Sequence, residues 1–260
     1  MHKTTSLRKL LRRSTIARQI YWRTWMARYL VAKLSRKRSF AQLGEDLKVE
    51  ELIGEVRWFV DIGANDGITG SNTFYFALKG AHGICFEPVN ETYAKLHWLY
   101  LLNRRVRTVR CGISNENRIA QIIAADFLSF LPETEDQEHI SEGTVLVDRH
   151  KKEEVVLRRF EDAVESLGMP AQCDLLSVDV EGHELNVLKS IPFGRFSFRA
   201  VVVETHMGDP RSGVYKWRHR DLTAIEQLLA KHGYRLAHRS WLNSIYLLSS
   251  AATAGMGTSL

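Results

Sequence analysis

Only three cysteines occur in the 260 residues, Cys85, Cys111 and Cys173. Their odd number and their spacing match neither a disulfide framework nor a cysteine-held zinc site, and they point to a reducing compartment, the cytoplasm. Proline is scarce, with five in all, while 45% of residues are apolar, so nothing in the composition argues for wholesale disorder. No apolar run approaches the ~18 residues that a membrane-spanning helix needs. Acidic residues are missing altogether from the first 40 positions, which carry 12 Lys or Arg. The rest of the chain then holds 24 basic residues against 30 acidic ones. The net charge of +6 thus hides an acidic body behind a basic leading module. The pI of 9.3 therefore implies neither a basic face over the whole molecule nor a specific nucleic-acid partner.

Within the basic module, residues 1–38, Trp22, Trp25, Met26, Tyr29 and Leu30 recur at helical spacing, with Arg23 and Arg28 off the stripe. Three uses fit such a helix: docking on the protein's own core or on a second copy in a homodimer, lying on an anionic membrane at its inner face, or targeting. A secretory signal is disfavoured, since an uninterrupted apolar stretch and a small-residue cleavage site are missing. From residue 57 the pattern changes to short apolar runs alternating with helical stretches, which predicts an α/β fold with a doubly wound, mostly parallel sheet. Its strands are expected at 57–62, 82–86, 106–111, 174–180 and 199–203. The segment 112–172 is too long for a bare loop and is expected to add strands at 120–125, 144–147 and 155–157 and a helix near 160–167. A polar loop at 205–220, a helix over 222–232 and an antiparallel edge hairpin of 234–238 and 244–248 complete a domain spanning 39–250. The tail, 251–260, is rich in small residues and reads as disordered.

The first strand runs into Val60-Asp61-Ile62-Gly63-Ala64-Asn65-Asp66-Gly67, and the second ends in Phe86-Glu87-Pro88. In a doubly wound sheet a glycine-bearing turn here lets the backbone approach a nucleotide, and an acid at the end of the second strand accepts hydrogen bonds from ribose hydroxyls. Asn65 stands where a dinucleotide fingerprint has its second glycine. Asp61 and Asp66, with no nearby cation, would repel a pyrophosphate. S-adenosylmethionine, which has no phosphate and carries a sulfonium and an ammonium, fits this turn better than NAD. The alternative role for Asp61 and Asp66 is turn formation and helix capping.

These residues, with Ser71-Asn72-Thr73, Ser177-Val178-Asp179-Val180-Glu181-Gly182-His183-Glu184 and the upstream Ser39-Phe40-Ala41-Gln42-Leu43-Gly44-Glu45-Asp46, resemble the FkbM-type methyltransferases over about residues 39–248. The resemblance implies a class I, Rossmann-like methyltransferase fold, S-adenosylmethionine as cofactor and methyl transfer to oxygen, often of a sugar or glycan hydroxyl. It carries cofactor binding over to Asp61, Gly63, Gly67 and Glu87, with Asn65 and Asn72 in the same motifs. The basic module lies outside it.

Asp179, Glu181, His183 and Glu184 follow the fourth strand, and Glu204 and His206 follow the fifth, which places both groups at the carboxyl edge of the sheet. Transfer to a hydroxyl needs alignment and removal of a proton. His183 or His206 is the expected base, with Asp179, Glu181 and Glu204 positioning the acceptor or raising the base's proton affinity. The same carboxylates could instead hold Mg²⁺ across vicinal hydroxyls, and Glu181 and Glu184 could simply cap the following helix, with His183 in solvent. The loop 207–220, with Arg211, Lys216, Trp217, Arg218, His219 and Arg220, suits an acceptor bearing phosphate or carboxylate, or is solvated surface. The competing functions are a NAD-dependent oxidoreductase and a non-enzymatic membrane- or nucleic-acid-binding protein led by the basic module. If that module lies on anionic membranes, the full-length chain sediments with anionic vesicles in a salt-sensitive way. Trp22→Ala with Trp25→Ala then reduces the bound fraction. Full-length protein that ignores such vesicles at low salt removes this role.

Overall fold

The computed structural model describes residues 39–123, 152–205 and 221–249. The basic module, the strand expected at 144–147, the loop 206–220 with His206, and the tail from 250 lie outside the described residues. The described part belongs to one compact unit that begins at Ser39.

After helix α1 (Glu45–Ile53) come β1 (Trp58–Ile62), α2 (Phe74–Leu78), β2 (His82–Phe86), α3 (Asn90–Tyr100) and β3 (Val106–Val109). Next are β4 (Gly112–Ile113), β5 (Arg118–Ile123), β6 (Lys152–Arg158) and α4 (Phe160–Val164). The chain ends with β7 (Gln172–Val178), α5 (Glu184–Ser190), β8 (Ser197–Glu204), α6 (Leu222–Lys231), β9 (Tyr234–Arg239) and β10 (Asn243–Leu248). Seven strands form one sheet in the order β3-β2-β1-β7-β8-β10-β9. The first five are mutually parallel, and β10 runs antiparallel to both β8 and β9. The expected edge hairpin is therefore present, with its second strand inserted against β8.

The central strands are apolar on both faces because helices cover both. Val60, Ile62, Leu176, Val178, Val201 and Val203 join Phe160, Val187, Leu188, Ile225 and Leu229 of α4, α5 and α6 in one core cluster. The alternate residues of the same strands, Phe59, Leu175, Ala200 and Val202, are fully buried on the opposite face. Strand alternation puts Asp61, Ser177 and Glu204 on that second face, at the carboxyl ends of their strands. Asp61 and Ser177 are register partners.

Two departures from the expected boundaries have physical reasons. The third strand stops at Val109 rather than continuing to 111, because Gly112 and Ile113 pair with Leu157 and Arg158 in a separate sheet of order β4-β6-β5. That small sheet turns Ala120, Ile122, Val155 and Leu157 onto Val89. The fourth strand ends at Val178, and the fifth runs on through Glu204. Asp179 thus opens a loop, while Glu204 sits on a strand.

The segment before β1 is pinned by two buried acids. Asp46, fully buried, accepts from Ser39 Oγ at 2.6 Å and Phe40 N at 2.7 Å. Glu45 accepts from Leu43 N at 2.9 Å, Ser240 Oγ at 2.9 Å and Asn243 Nδ2 at 3.0 Å, tying the start of α1 to the β9–β10 hairpin. Asp46→Ala strands a buried backbone N–H and is expected to cost about 2 to 3 kcal/mol, measured as a lower midpoint in urea unfolding with an unchanged slope.

Candidate active site

The carboxyl ends of β1, β2, β7 and β8, roofed by the small sheet, enclose a cavity of about 460 Å³. Its geometry starts at Gly63, whose φ is +86°. A Cβ there would lie 1.8 Å from the main-chain oxygen of Asp179, so only glycine lets the β1 turn pass this close to the end of β7. The N–H groups of Gly63 and Ala64 both donate to Phe86 O at 3.0 Å, which fixes the turn against β2 as well. Asn65 follows with φ +50°, a left-handed conformation that asparagine tolerates better than most side chains, and its N–H donates to Glu87 Oε2 at 3.0 Å.

Glu87 is buried, and its Oε1 also accepts from Val89 N and Thr92 Oγ1, each at 2.9 Å. Burial pushes its carboxyl up to about 7 against the pull of these donors, with the charge of Asp61 adding to the rise. Asp61 is likewise raised to about 7 by burial, with Asp179 contributing repulsion, even though Thr73 Oγ1 donates to it at 2.5 Å and Ser177 also hydrogen-bonds to it. Asn72 Nδ2 donates to Ser177 Oγ at 3.2 Å. Asn72 Oδ1, also buried, has no partner. Asp61, Gly63, Asn65, Asn72 and Glu87 all line the cavity.

Two turn residues do other work. Gly67 is not among the lining residues; a Cβ there would lie 2.6 Å from Leu99 Cδ2 and 2.8 Å from Leu96 Cδ1, so this glycine lets the turn pack on α3. Asp66 accepts from Ile68 N, Thr69 N and Thr69 Oγ1 at 2.8 to 2.9 Å. It is a turn former, as the alternative reading had it, and its charge faces the loop backbone.

At the other side of the cavity, Asp179, Glu181 and Glu204 bring carboxylate oxygens within 4.8 Å of one another. Burial is the first cause that lifts Glu181 far above the usual carboxylate range, followed by the charges of Glu204, Asp179 and Glu184. Glu204 is raised to about 8 by burial and by the charge of Glu184, with Asp179 pulling the other way. Glu181 has φ +55°, an uncommon backbone for a non-glycine residue. Its loop is held by Glu184, whose Oε1 accepts from Val180 N at 3.0 Å and Gly182 N at 3.1 Å. The capping expected of Glu181 and Glu184 is not seen: the N-cap of α5 has no side-chain hydrogen bond, and Glu184 fixes the loop before the helix instead.

His183 lines the cavity and is 8% exposed, so it does not face solvent. It occupies the N-cap position of α5, which begins at Glu184 rather than near 182. Asn186 Nδ2 lies 3.2 Å from its Nδ1 and can only donate, and Ser114 Oγ lies 3.0 Å from its Nε2. Both ring nitrogens are therefore engaged, and the imidazole ties the loop to the small sheet instead of presenting a lone pair to the cavity. Ser114 and Asn186, which engage His183, and Trp241, which lines the cavity, were not singled out from sequence; Ser114 meets His183 across 69 positions. Gln42, which also lines the cavity, could have been found from the upstream segment singled out there. Among the described lining residues there are five carboxylates, Asp61, Glu87, Asp179, Glu181 and Glu204, and neither Lys nor Arg.

Residues 61–236, more than half of the chain, match the family model described as Methyltransferase FkbM domain. No curated protein matches the chain in sequence. Similar solved structures include the methyltransferase FkbM from Methylobacillus flagellatus KT, 17% identical with a TM-score of 0.47, where 74% of this chain covers 44% of that one. Precorrin-6y C5,15-methyltransferase from Geobacter metallireducens GS-15 is 10% identical with a TM-score of 0.45, over 83% of this chain and 93% of that one. Ribosomal protein L11 methylase from Lactobacillus delbrueckii subsp. bulgaricus is 10% identical with a TM-score of 0.40, over 79% and 77%. The chain thus spans less than half the length of the first of these.

The raised carboxyls make stability depend on pH. A carboxyl whose proton affinity is higher folded than unfolded stabilises the fold fully below the unfolded value, ~4, and loses that contribution as pH rises through the folded value. With Asp61 and Glu87 at about 7, ligand-free protein is expected to melt at higher temperature at pH 5.5 than at pH 8. Glu204→Gln should recover on the order of 1 to 2 kcal/mol at pH 8 and little at pH 5. Calorimetry showing parallel pH profiles for the two proteins would rule this out.

Proposed function

The chain belongs to the FkbM methyltransferase family, and from that premise we propose that it is an S-adenosylmethionine-dependent O-methyltransferase acting on an uncharged hydroxyl of a sugar, glycan or similar polyhydroxylated acceptor. The observation that carries this reading is the cavity lining, five carboxylates with no Lys or Arg among the described residues. Such a lining opposes phosphate and suits a cofactor whose sulfonium and ammonium outnumber its one carboxylate. It also disfavours a pyrophosphate-bearing nicotinamide cofactor and an acceptor bearing phosphate or carboxylate.

The residues present fit the cofactor. The Gly63 turn leaves room for close backbone approach, Asn72 Oδ1 is a buried acceptor still without a donor, and Glu87 ends β2 where ribose hydroxyls are bound in such sheets. When bound, S-adenosylmethionine supplies a methyl group on a positively charged sulfur. Asp61, held by Thr73 and Ser177, stands at the β1–β7 junction, where the cationic end of that ligand would favour its ionised form.

On the acceptor side, the proton released as the new C–O bond forms needs a base. A carboxylate whose proton affinity is raised toward neutrality removes a hydroxyl proton more readily than an ordinary one. Glu181 and Glu204 have that property, and His183, engaged at both nitrogens, positions the loop that carries Glu181. We therefore assign the base to the group formed by Asp179, Glu181 and Glu204 rather than to His183; His206, the other histidine expected from sequence, lies outside the described residues. The same three residues have the oxygen ligands that Mg²⁺ would take, and a chelator separates the two roles.

Glu87→Gln keeps one carbonyl acceptor for the loop and is expected to weaken S-adenosylmethionine binding by about tenfold or more in calorimetry. Glu204→Gln should lower transfer of labelled methyl to neutral glycosides by about 10²-fold while cofactor affinity stays near wild type. Loss confined to His183→Ala would return the base to histidine, and activity abolished by a chelator and restored by Mg²⁺ would give the three acids to a metal.

A further inference from the structure

The corner where α3 gives way to β3 combines exposed apolar side chains with unpaired cations. Leu96, Leu99 and Tyr100 of α3 are buried, whereas Trp98, Leu101 and Leu102 are 54%, 50% and 94% exposed. Arg104, Arg105 and Arg107 follow, all exposed. Among the described residues none of the three joins an ion pair. Arg105 Nη1 donates to Gly80 O at 2.7 Å and so anchors the turn to the end of α2. Leu102, on that turn, is the most exposed large apolar side chain of the described surface.

We propose that this corner is a docking surface for an anionic lipid bilayer. The protruding Leu101 and Leu102 side chains enter the boundary between headgroups and acyl chains, and arginines beside them pair with lipid phosphates. Charge decides against two other occupants. Residues 1–38 bring 12 cations and no acid, and a second copy docked by the same patch would set Arg against Arg. Nucleic acid satisfies the arginines but leaves Leu101 and Leu102 with neither a ring to stack nor a polar edge to read.

The surface is remote from the chemistry. Val89 and Thr92, at the beginning of α3, line the cavity, and the corner lies at the other end of an 11-residue helix, about 16 Å along its axis. The enzyme can thus rest on a membrane with the cavity still open to its acceptor. The proposal holds whether or not the methyl-transfer reading does, and its test reads position instead of turnover.

Cys85, Cys111 and Cys173 are buried, so Leu102→Cys in the full-length chain gives one reactive thiol for an environment-sensitive dye. Ile119→Cys, at a position 70% exposed on β5, is the control. With vesicles of phosphatidylcholine and phosphatidylglycerol the dye at 102 should shift to the blue and become shielded from aqueous quencher, and the dye at 119 should do neither. Pure phosphatidylcholine should have no effect, and high salt should reverse the shift. Arg104→Ala and Arg107→Ala should each weaken vesicle binding by about fivefold. The proposal is overturned if the protein sediments with anionic vesicles while the dye at 102 stays in water, or if it fails to sediment at all. It is also overturned if the shift comes with single-stranded RNA, grows with protein concentration without vesicles as for a second copy, or is already complete without vesicles as for cover by residues 1–38.

Discussion

The contact between Gly63 and the main-chain oxygen of Asp179 is the constraint on which the site depends. β1 lies between β2 and β7, so here the chain's excursions to either side of the sheet part and leave a crevice. Any side chain at residue 63 would collide with Asp179 O, and the turn would have to lift away from β7. Asp61 would then lose its register with Ser177, Asn72 its bond to Ser177, and Glu87 the Asn65 N–H that fixes one of its oxygens. One missing Cβ thus holds the two halves of the cavity together, with Asp61 and Glu87 on one side and Asp179, Glu181 and Glu204 on the other.

The buried acids divide by what their oxygens accept. Asp46, Glu45, Asp66 and Glu184 take backbone N–H groups of their own loops, which is the usual way a buried carboxylate is made tolerable. They set the shape of the segments that carry Gln42, Thr69 and Glu181. Asp61 and Glu204 instead have neighbours that repel them, and Glu181 has three. Glu87 stands between the classes, bonded to the loop and raised in proton affinity all the same. Only the acids of the second kind gain when a positive or proton-yielding ligand arrives.

Sequence alone could reach whatever is written in local pattern. The apolar runs at 57–62, 82–86 and 174–180 read as buried parallel strands because both faces are covered. The glycine-bearing turn and Glu87 were legible because their spacing follows the rise of a strand and a helix. The three acids after the fourth and fifth strands could be placed at one edge by topology alone. The bonds of His183 were not legible in the sequence. Its neighbours Ser114 and Asn186 come from another sheet and the next helix turn, and only their positions show that both ring nitrogens are engaged. Asp66 and Gly67 were read with the ligand because they share its motif. Whether such residues face the cavity or the loop depends on backbone angles that no spacing rule supplies.

Strain and charge are gathered in the same place. Among the described residues, Asn65 and Glu181 are the two non-glycine residues with positive φ, and both line the cavity. Each costs on the order of 1 kcal/mol or more, and such backbones persist only where surrounding bonds over-determine them. Here the Asn65 N–H is fixed by Glu87, and Val180 and Gly182 on either side of Glu181 are fixed by Glu184. The carboxylates that the cavity collects work against the fold in the ligand-free state, and the loops that carry them are held by other carboxylates that work for it. A ligand that brings positive charge to one half and a hydroxyl proton to the other lowers the first cost without disturbing the second. The cavity is thus organised in advance for a charge distribution that it does not itself contain, which is the condition under which fixed groups favour a transition state over the separate reactants.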